Sequence, residues 1–320
     1  MKTTRIKLEG ESAVYHCISR VVGGQKLLGE PEREKFRQLM RRQARFAGLE
    51  ILTYCLMANH VHLLVRVPEA REPTDREVLD RALGLYKPKE PVMELMARLL
   101  KEQGKLPGDM TEPLKRRMGD ISVFMKELKM GFSKWYNRRH GRFGAFWAER
   151  FKSVVVEDEP STVRTVAAYI DLNPVRAGLV EDPKDYRHCG YAEAVAGVAE
   201  ARSGIAYFHP AGKKWREVAE SYRKYLYVGA GRSGQAGKAQ LDAAAIRRVL
   251  DQGGRLSPGE VLRLKIRHLS EGAVLGSGEY VEEVFERFRE RLGSRRKSGA
   301  KRIGRYPLGD MKSLRDPQDH

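Results

Sequence analysis

Apolar positions along the first half of the chain follow two periods in alternation. Residues 13–22, AVYHCISRVV, predict a strand. Over 31–47, Phe36, Leu39, Met40 and Phe46 fall at helical spacing, with Pro31 suited to a first turn and Gly48 standing where a helix should end. ILTYCLM (51–57) and HVHLLVRV (60–67) then flank the short link Ala58-Asn59, which predicts a β-hairpin, and Pro68 ends its second strand. A helix is predicted over 120–139, where Ile121, Phe124, Met125, Leu128, Phe132 and Trp135 share one side. A further strand region covers 143–158, and Pro160-Ser161 opens a helix running to about Leu172. This β-α-β-β…α-β-α order predicts an α+β sandwich, an antiparallel sheet with helices on one face.

Two stretches break the pattern. Residues 69–118 are charged and hold several prolines around one helix near 92–100, which reads as an insertion, a lid or a DNA-contacting arm. Beyond a mixed stretch at 182–227, GAGRSGQAG (229–237) has the composition of a linker, and 242–250 and 281–292 predict helices of a small C-terminal unit. The tail 291–305 carries seven basic residues and no acidic one, as a solvated tail or a phosphate grip would. The expected division is a main domain over 1–190 with its insertion at 69–118, a connecting region over 191–228, and an accessory region over 229–320.

Composition narrows the function. Hydrophobic residues make up 41% of the 320, enough for a packed core. The net charge of +18 favours a polyanionic partner, because each cation placed on a phosphate releases condensed counterions. Cys17, Cys55 and Cys189 are far apart and form no CxxC pair, which excludes a cysteine zinc site and suggests no disulfide framework. With no apolar leader and no run approaching the roughly 18 apolar residues of a membrane span, the expected setting is the cytoplasm, without a membrane partner. No G-x-x-x-x-G-K-[ST] loop is present, which argues against an ATP-driven enzyme.

Two groups of residues carry candidate chemistry. On the strand HVHLLVRV, alternation places Val61, Leu63, Val65 and Val67 on one face and His60, His62, Leu64 and Arg66 on the other. Two imidazoles at i and i+2 can bind one metal ion, and a neighbouring cation such as Arg66 would disfavour their protonation. The same spacing also suits two ordinary histidines on an exposed face. His16 could face the same site or be a satisfied core residue. On the helix TVAAYIDLNPVRAGLV (165–180), Tyr169 and Asn173 stand at i and i+4 on one face, while Val163, Val166, Ala167 and Ile170 make the apolar side. Tyr169 reads equally as a nucleophile for phosphate or as an amphipathic residue at the core margin. Asn173 before Pro174 also suits the N-cap of a short turn stopped by Gly178.

Taken together, YHCISR (15–20), YCLMANHVHLLV (54–65) and YIDLNPVRAGLV (169–180), in that order, resemble the REP-associated tyrosine transposases. These belong to the HUH (His-hydrophobic-His) superfamily of single-strand insertion-sequence transposases. The resemblance covers about residues 1–190 and implies a ferredoxin-like, RRM-like domain. It implies that His60 and His62 ligate a divalent cation, Mg²⁺ or Mn²⁺, and that Tyr169 forms a 5′-phosphotyrosine link to DNA. Asn173 stands where related transposases carry a Gln that completes the metal site. The implied substrate is single-stranded or hairpin DNA, such as palindromic repeat elements, handled by a monomer or homodimer. Arg20, Arg66, Lys134, Arg138, Arg139, Arg150 and Arg176 are the candidate DNA contacts, with Trp135, Phe146 and Trp147 as candidate stacking partners. Two other functions fit parts of this pattern: a single-strand-binding module of the same fold without cleavage, and a metal-dependent hydrolase that uses water and leaves no covalent adduct.

Overall fold

The computed structural model describes residues 6–86, 89–227, 268–292, 299–303, 308 and 310–315. The predicted hairpin and its neighbours form the centre of a sheet. β1 (Ala13–Arg20) pairs antiparallel with β3 (His60–Val67) on one side and with β4 (Lys152–Val156) on the other, and β2 (Glu50–Leu56) pairs antiparallel with β3. The spatial order β2-β3-β1-β4 is that of a ferredoxin-like sheet. The link between β2 and β3 is pinned from outside, because Leu28 N–H donates to Ala58 O and Val21 N–H to Asn59 O, both at 2.9 Å.

One face of the sheet carries α1 (Glu30–Ala47) and α5 (Ile121–His140). Phe36 and Met40 from α1 and Phe124, Leu128 and Phe132 from α5 bury against Tyr15, Cys17, Val61, Leu63 and Val65. Gly48 ends α1 at φ 69°, the left-handed cap expected from its position. The opposite face is covered too, which alternation along single strands could not reveal. α6 (Pro160–Asp171) lays Val163, Val166, Ala167 and Ile170 on Val14, Leu64, Val154 and Val156. α8 (Gly190–Val195), α9 (Ala199–Ala206) and α10 (Trp215–Tyr227) extend this layer through Tyr191, Ile205, Phe208, Val218 and Tyr222. Gly204 lets α9 approach β2 closely, since a Cβ there would fall 2.4 Å from the Leu52 carbonyl oxygen.

The insertion folds as α2 (Asp75–Leu85), α3 (Pro91–Gln103) and α4 (Gly108–Lys115). These helices share a small core of Val78, Leu79, Ala82, Met93, Met96 and Leu114 with Phe46 of α1. The region expected as strand over 143–158 is strand only at its end. Gly144 turns the chain at φ 87°, and Phe146 and Trp147 go into the core, with Trp147 held to Val21 by a single bridge. At the far edge, β5 (Gly272–Gly276) runs parallel to β4, and β7 (Lys312–Arg315) and β6 (Lys301–Arg302) continue the sheet. α11 (His268–Glu271) precedes β5. The expected helix over 281–292 is two pieces, α12 (Gly278–Arg287) and α13 (Arg289–Leu292), parted where Phe288 leaves helical geometry and turns inward. The predicted linker at 229–237, the helix at 242–250 and most of the basic tail lie outside the described residues. No described helix is long and apolar enough to cross a membrane. All three cysteines are buried.

Candidate active site

Backbone register sets the first half of the site. His62 lies opposite Ile18, His60 opposite Arg20, and His16 opposite Leu64, so His16 and His62 are diagonal neighbours on the α6 face. Their rings stack at a centroid separation of 5.1 Å, and His16 Nε2 lies 2.8 Å from His62 Nδ1. His16 Nδ1 lies 2.7 Å from the Leu269 carbonyl oxygen of α11. His60 stands at the half-exposed end of the strand, 5.0 Å from His62 between ring centroids and nearly perpendicular to it. Its Nδ1 is 2.7 Å from Asn59 Oδ1.

α6 brings the second half. The Tyr169 ring sits edge-on to both histidines, 6.2 Å from His16 and 6.4 Å from His62. Below it the chain passes into α7 (Asn173–Arg176). Arg176 folds back over Tyr169, with its guanidinium 4.0 Å from the ring centroid and Nη2 donating to the Tyr169 carbonyl at 2.8 Å. Asn173 Nδ2 donates to the carbonyls of Tyr169 at 3.4 Å and Ile170 at 3.3 Å. Its amide therefore caps the end of α6 backwards rather than the start of the next turn, and Oδ1 is the atom left for a ligand role. Asp171, beside Tyr169, points the other way into the core. It accepts hydrogen bonds from Thr53, Tyr222 and the Tyr191 N–H, and burial pushes its carboxyl up to about 7.

Burial holds the two inner histidines neutral. His16 is pushed down to about 4, by desolvation first and by Arg176 in addition. His62 is driven well below the usual histidine range by burial, then by His16, His60, Arg176 and Arg20. The cations beside the pair are thus Arg176 and Arg20. Arg66, four residues along β3, is tied up at the other end of the strand by Glu50 at 3.0 Å, Ser12 at 3.2 Å and the Tyr207 ring at 4.9 Å.

Two imidazole nitrogens are borderline donors that could share one divalent cation, its other positions open to water and substrate phosphate oxygens. Both histidines have Nδ1 engaged by a neighbour, which makes Nε2 the candidate ligating nitrogen of each. Among the described residues, no group of three or more His, Cys, Asp or Glu is placed to hold a metal. Asn173 Oδ1 is the candidate third protein donor.

The remaining candidate residues fall into two sets. Arg20 and Arg176 adjoin the histidines. Lys134, Arg138, Arg139 and Arg150 are exposed along α5 and the loop after it. Lys134 and Arg150, with Lys126, Lys129, Met130 and Trp147, line a cavity of about 640 Å³. The loop after α5 is tied to β1 where Ala148 N–H donates to Arg20 O. Phe146 and Trp147 are core residues, and the Trp147 indole N–H donates to the Lys129 carbonyl. Among the described residues the exposed aromatic ring is Phe143, at 94%, a position that carries no periodic signal in the sequence.

Residues 10–75 match the family model of the IS200-like transposases. That stretch holds β1, α1, β2 and β3, and with them His16, His60 and His62, while Tyr169 lies outside it. The resemblance to the single-strand transposases read from the motifs is thereby borne out. A solved structure of the REP-associated tyrosine transposase bound to a REP hairpin is similar to this chain at 16% identity and a TM-score of 0.40, over 62% of this chain and 86% of that one. No curated protein matches the chain.

Proposed function

We propose that this chain is a metal-dependent tyrosine transposase that nicks and rejoins single-stranded or hairpin DNA through a 5′-phosphotyrosine intermediate. The observation that carries this reading is the convergence of His60, His62 and Tyr169 on one sheet face, from two separate sequence motifs, with the half-buried Arg176 beside the tyrosine.

Tyr169 Oη attacks the scissile phosphorus in line. The Oη–P bond forms as the P–O3′ bond breaks, the phenolic proton leaves, and the freed 3′ oxygen departs as a hydroxyl. The resulting ester conserves the bond energy, so a second 3′-OH can displace Tyr169 without ATP. Arg176 places positive charge against the ring and stabilises the negative charge that builds at the attacking and phosphate oxygens. His60 and His62 would hold Mg²⁺ or Mn²⁺, with Asn173 Oδ1 as the candidate third donor. A cation held there would supply Lewis-acid stabilisation of the reacting phosphate. Arg20, Lys134, Arg138, Arg139 and Arg150 bind backbone phosphates along the route to the site. A single chain supplies every catalytic group, which supports action by a monomer with the tyrosine used in cis. The proposed setting is the cytoplasm, where palindromic repeats can be extruded as hairpins.

The test is incubation with end-labelled hairpin DNA and Mn²⁺, resolved on denaturing gels. Wild type is expected to give a covalent protein–DNA adduct, and Tyr169→Phe none. An adduct that survives Tyr169→Phe refutes the nucleophile. Strand cleavage with no adduct would make the chain a hydrolase, and tight binding with neither would make it a binding module of the same fold.

A further inference from the structure

The metal-ligating pair stands on a hydrogen-bonded chain that begins in the C-terminal region. We propose that His16 is a positioning residue. Anchored by the Leu269 carbonyl, it holds His62 as the Nδ1–H tautomer, so that His62 Nε2 keeps a lone pair available to a cation. The assignment of the tautomer stands on the hydrogen-bond geometry and the burial of the two rings; its use in metal binding rests on the function proposed above.

Each link in the chain allows one choice. A carbonyl oxygen only accepts, so at 2.7 Å His16 Nδ1 must carry the proton. A neutral imidazole has a single N–H, so His16 Nε2 is an acceptor. His62 Nδ1, 2.8 Å away, must then be the donor. His62 is neutral as well, and its Nε2 is left bare. The opposite arrangement, with His62 protonated on Nε2, would set two lone pairs against each other in a site where both rings are shielded from water, His16 at 0% and His62 at 5% exposure. It would also leave Nε2 without a lone pair for a cation.

His60 is set the same way by a shorter chain. Asn59 Nδ2 donates to the Gly24 carbonyl at 3.3 Å, which turns Oδ1 toward His60 Nδ1 at 2.7 Å. Both histidines thus present Nε2. The His62 chain differs in its origin, because Leu269 lies in α11, about 250 residues from β1 in sequence and next to the edge strand β5. The C-terminal region is accordingly part of the support of the site, and not only an appendage that could contact DNA.

The experiment uses full-length, metal-free protein with ¹⁵N-labelled histidine. Long-range ¹H–¹⁵N correlation reads which ring nitrogen of each histidine is protonated, and Mn²⁺ titration followed by electron paramagnetic resonance reads affinity. Wild-type His62 is expected as Nδ1–H. His16→Phe keeps the bulk but removes the acceptor; His62 should then populate the Nε2–H form, and the Mn²⁺ Kd should rise roughly 10- to 100-fold, as loss of an outer-shell partner typically causes. His16→Gln offers Oε1 to His62 and its amide N–H to Leu269, and should bring the Kd back to within about threefold of wild type. Circular dichroism and melting establish that each variant is folded. If His16→Phe does not fold, the wild-type and His16→Gln spectra still decide.

Wild-type His62 protonated on Nε2 would overturn the proposal. So would a folded His16→Phe protein with unchanged tautomer and unchanged Mn²⁺ affinity. A wild type with the expected tautomer that binds Mn²⁺ but forms no DNA adduct would sink the transposase reading and leave this assignment standing.

Discussion

Arg176→Met separates charge from shape at the nucleophile. The thioether side chain covers much of the same ring surface but carries no charge. Arg176 lies 4.0 Å from the Tyr169 ring centroid, which places its charge about 5 Å from the attacking oxygen. At an effective dielectric near 20, a unit charge at that distance stabilises a developing negative charge by about 3 kcal/mol. That converts to a loss of roughly 100-fold in the rate of adduct formation. The stability cost has a separate source, the hydrogen bond from Nη2 to the Tyr169 carbonyl, worth about 1–3 kcal/mol because the donor is charged. The assay is single-turnover adduct formation with saturating hairpin DNA and Mn²⁺, at a temperature where the melting curve shows the variant folded. Arg176→Lys, which keeps the charge but not the planar fork, should fall between the two. A folded Arg176→Met protein that forms adduct at the wild-type rate would refute the electrostatic role and reduce Arg176 to a packing residue.

Other perturbations follow from the same geometry. His188 is buried and pushed down to about 4, by desolvation first and then by Arg33 and Arg187. Its folded value lies below its unfolded one, so the stability it contributes is complete above about pH 6.5 and is lost as pH falls toward 4, by up to about 3 kcal/mol. His188→Asn should flatten the acid limb of a melting-temperature profile, and an unchanged limb would count against this account. Phe143→Ala should weaken single-strand binding by about 1–3 kcal/mol with no change in melting temperature, provided that the exposed ring stacks on a base. Equal affinities in a fluorescence anisotropy titration would remove it from the interface. Gly204→Ala drives a methyl group against the backbone of β2 and should cost about 1–3 kcal/mol in denaturant unfolding, while a cost near zero would mean that α9 can shift outward freely.

The elements that position the site were legible because their signals are local. Alternation along HVHLLVRV placed Val61, Leu63, Val65 and Val67 in one core, with His62 and Leu64 facing the other way. Pro31 and Gly48 bracketed α1, and the Val163–Ile170 periodicity gave α6 its buried side. The motif order also named the histidines and the tyrosine together, although they are about 100 residues apart. Where local pattern failed, partners distant in sequence decided the outcome. FGAFW looked like strand because its residues are apolar, but Gly144 turns it and Trp147 spends its N–H on Lys129. Arg66 shares a strand face with the histidines, yet Glu50 and Ser12 hold it at the opposite end. His16 had two open readings on the strand, and the structure joins them: it is a satisfied core residue, and what satisfies it is the site. That depends on a carbonyl contributed from the other end of the chain. Side-chain period is a property of a segment and can be read from it, whereas the partner of a buried ring nitrogen is a property of packing.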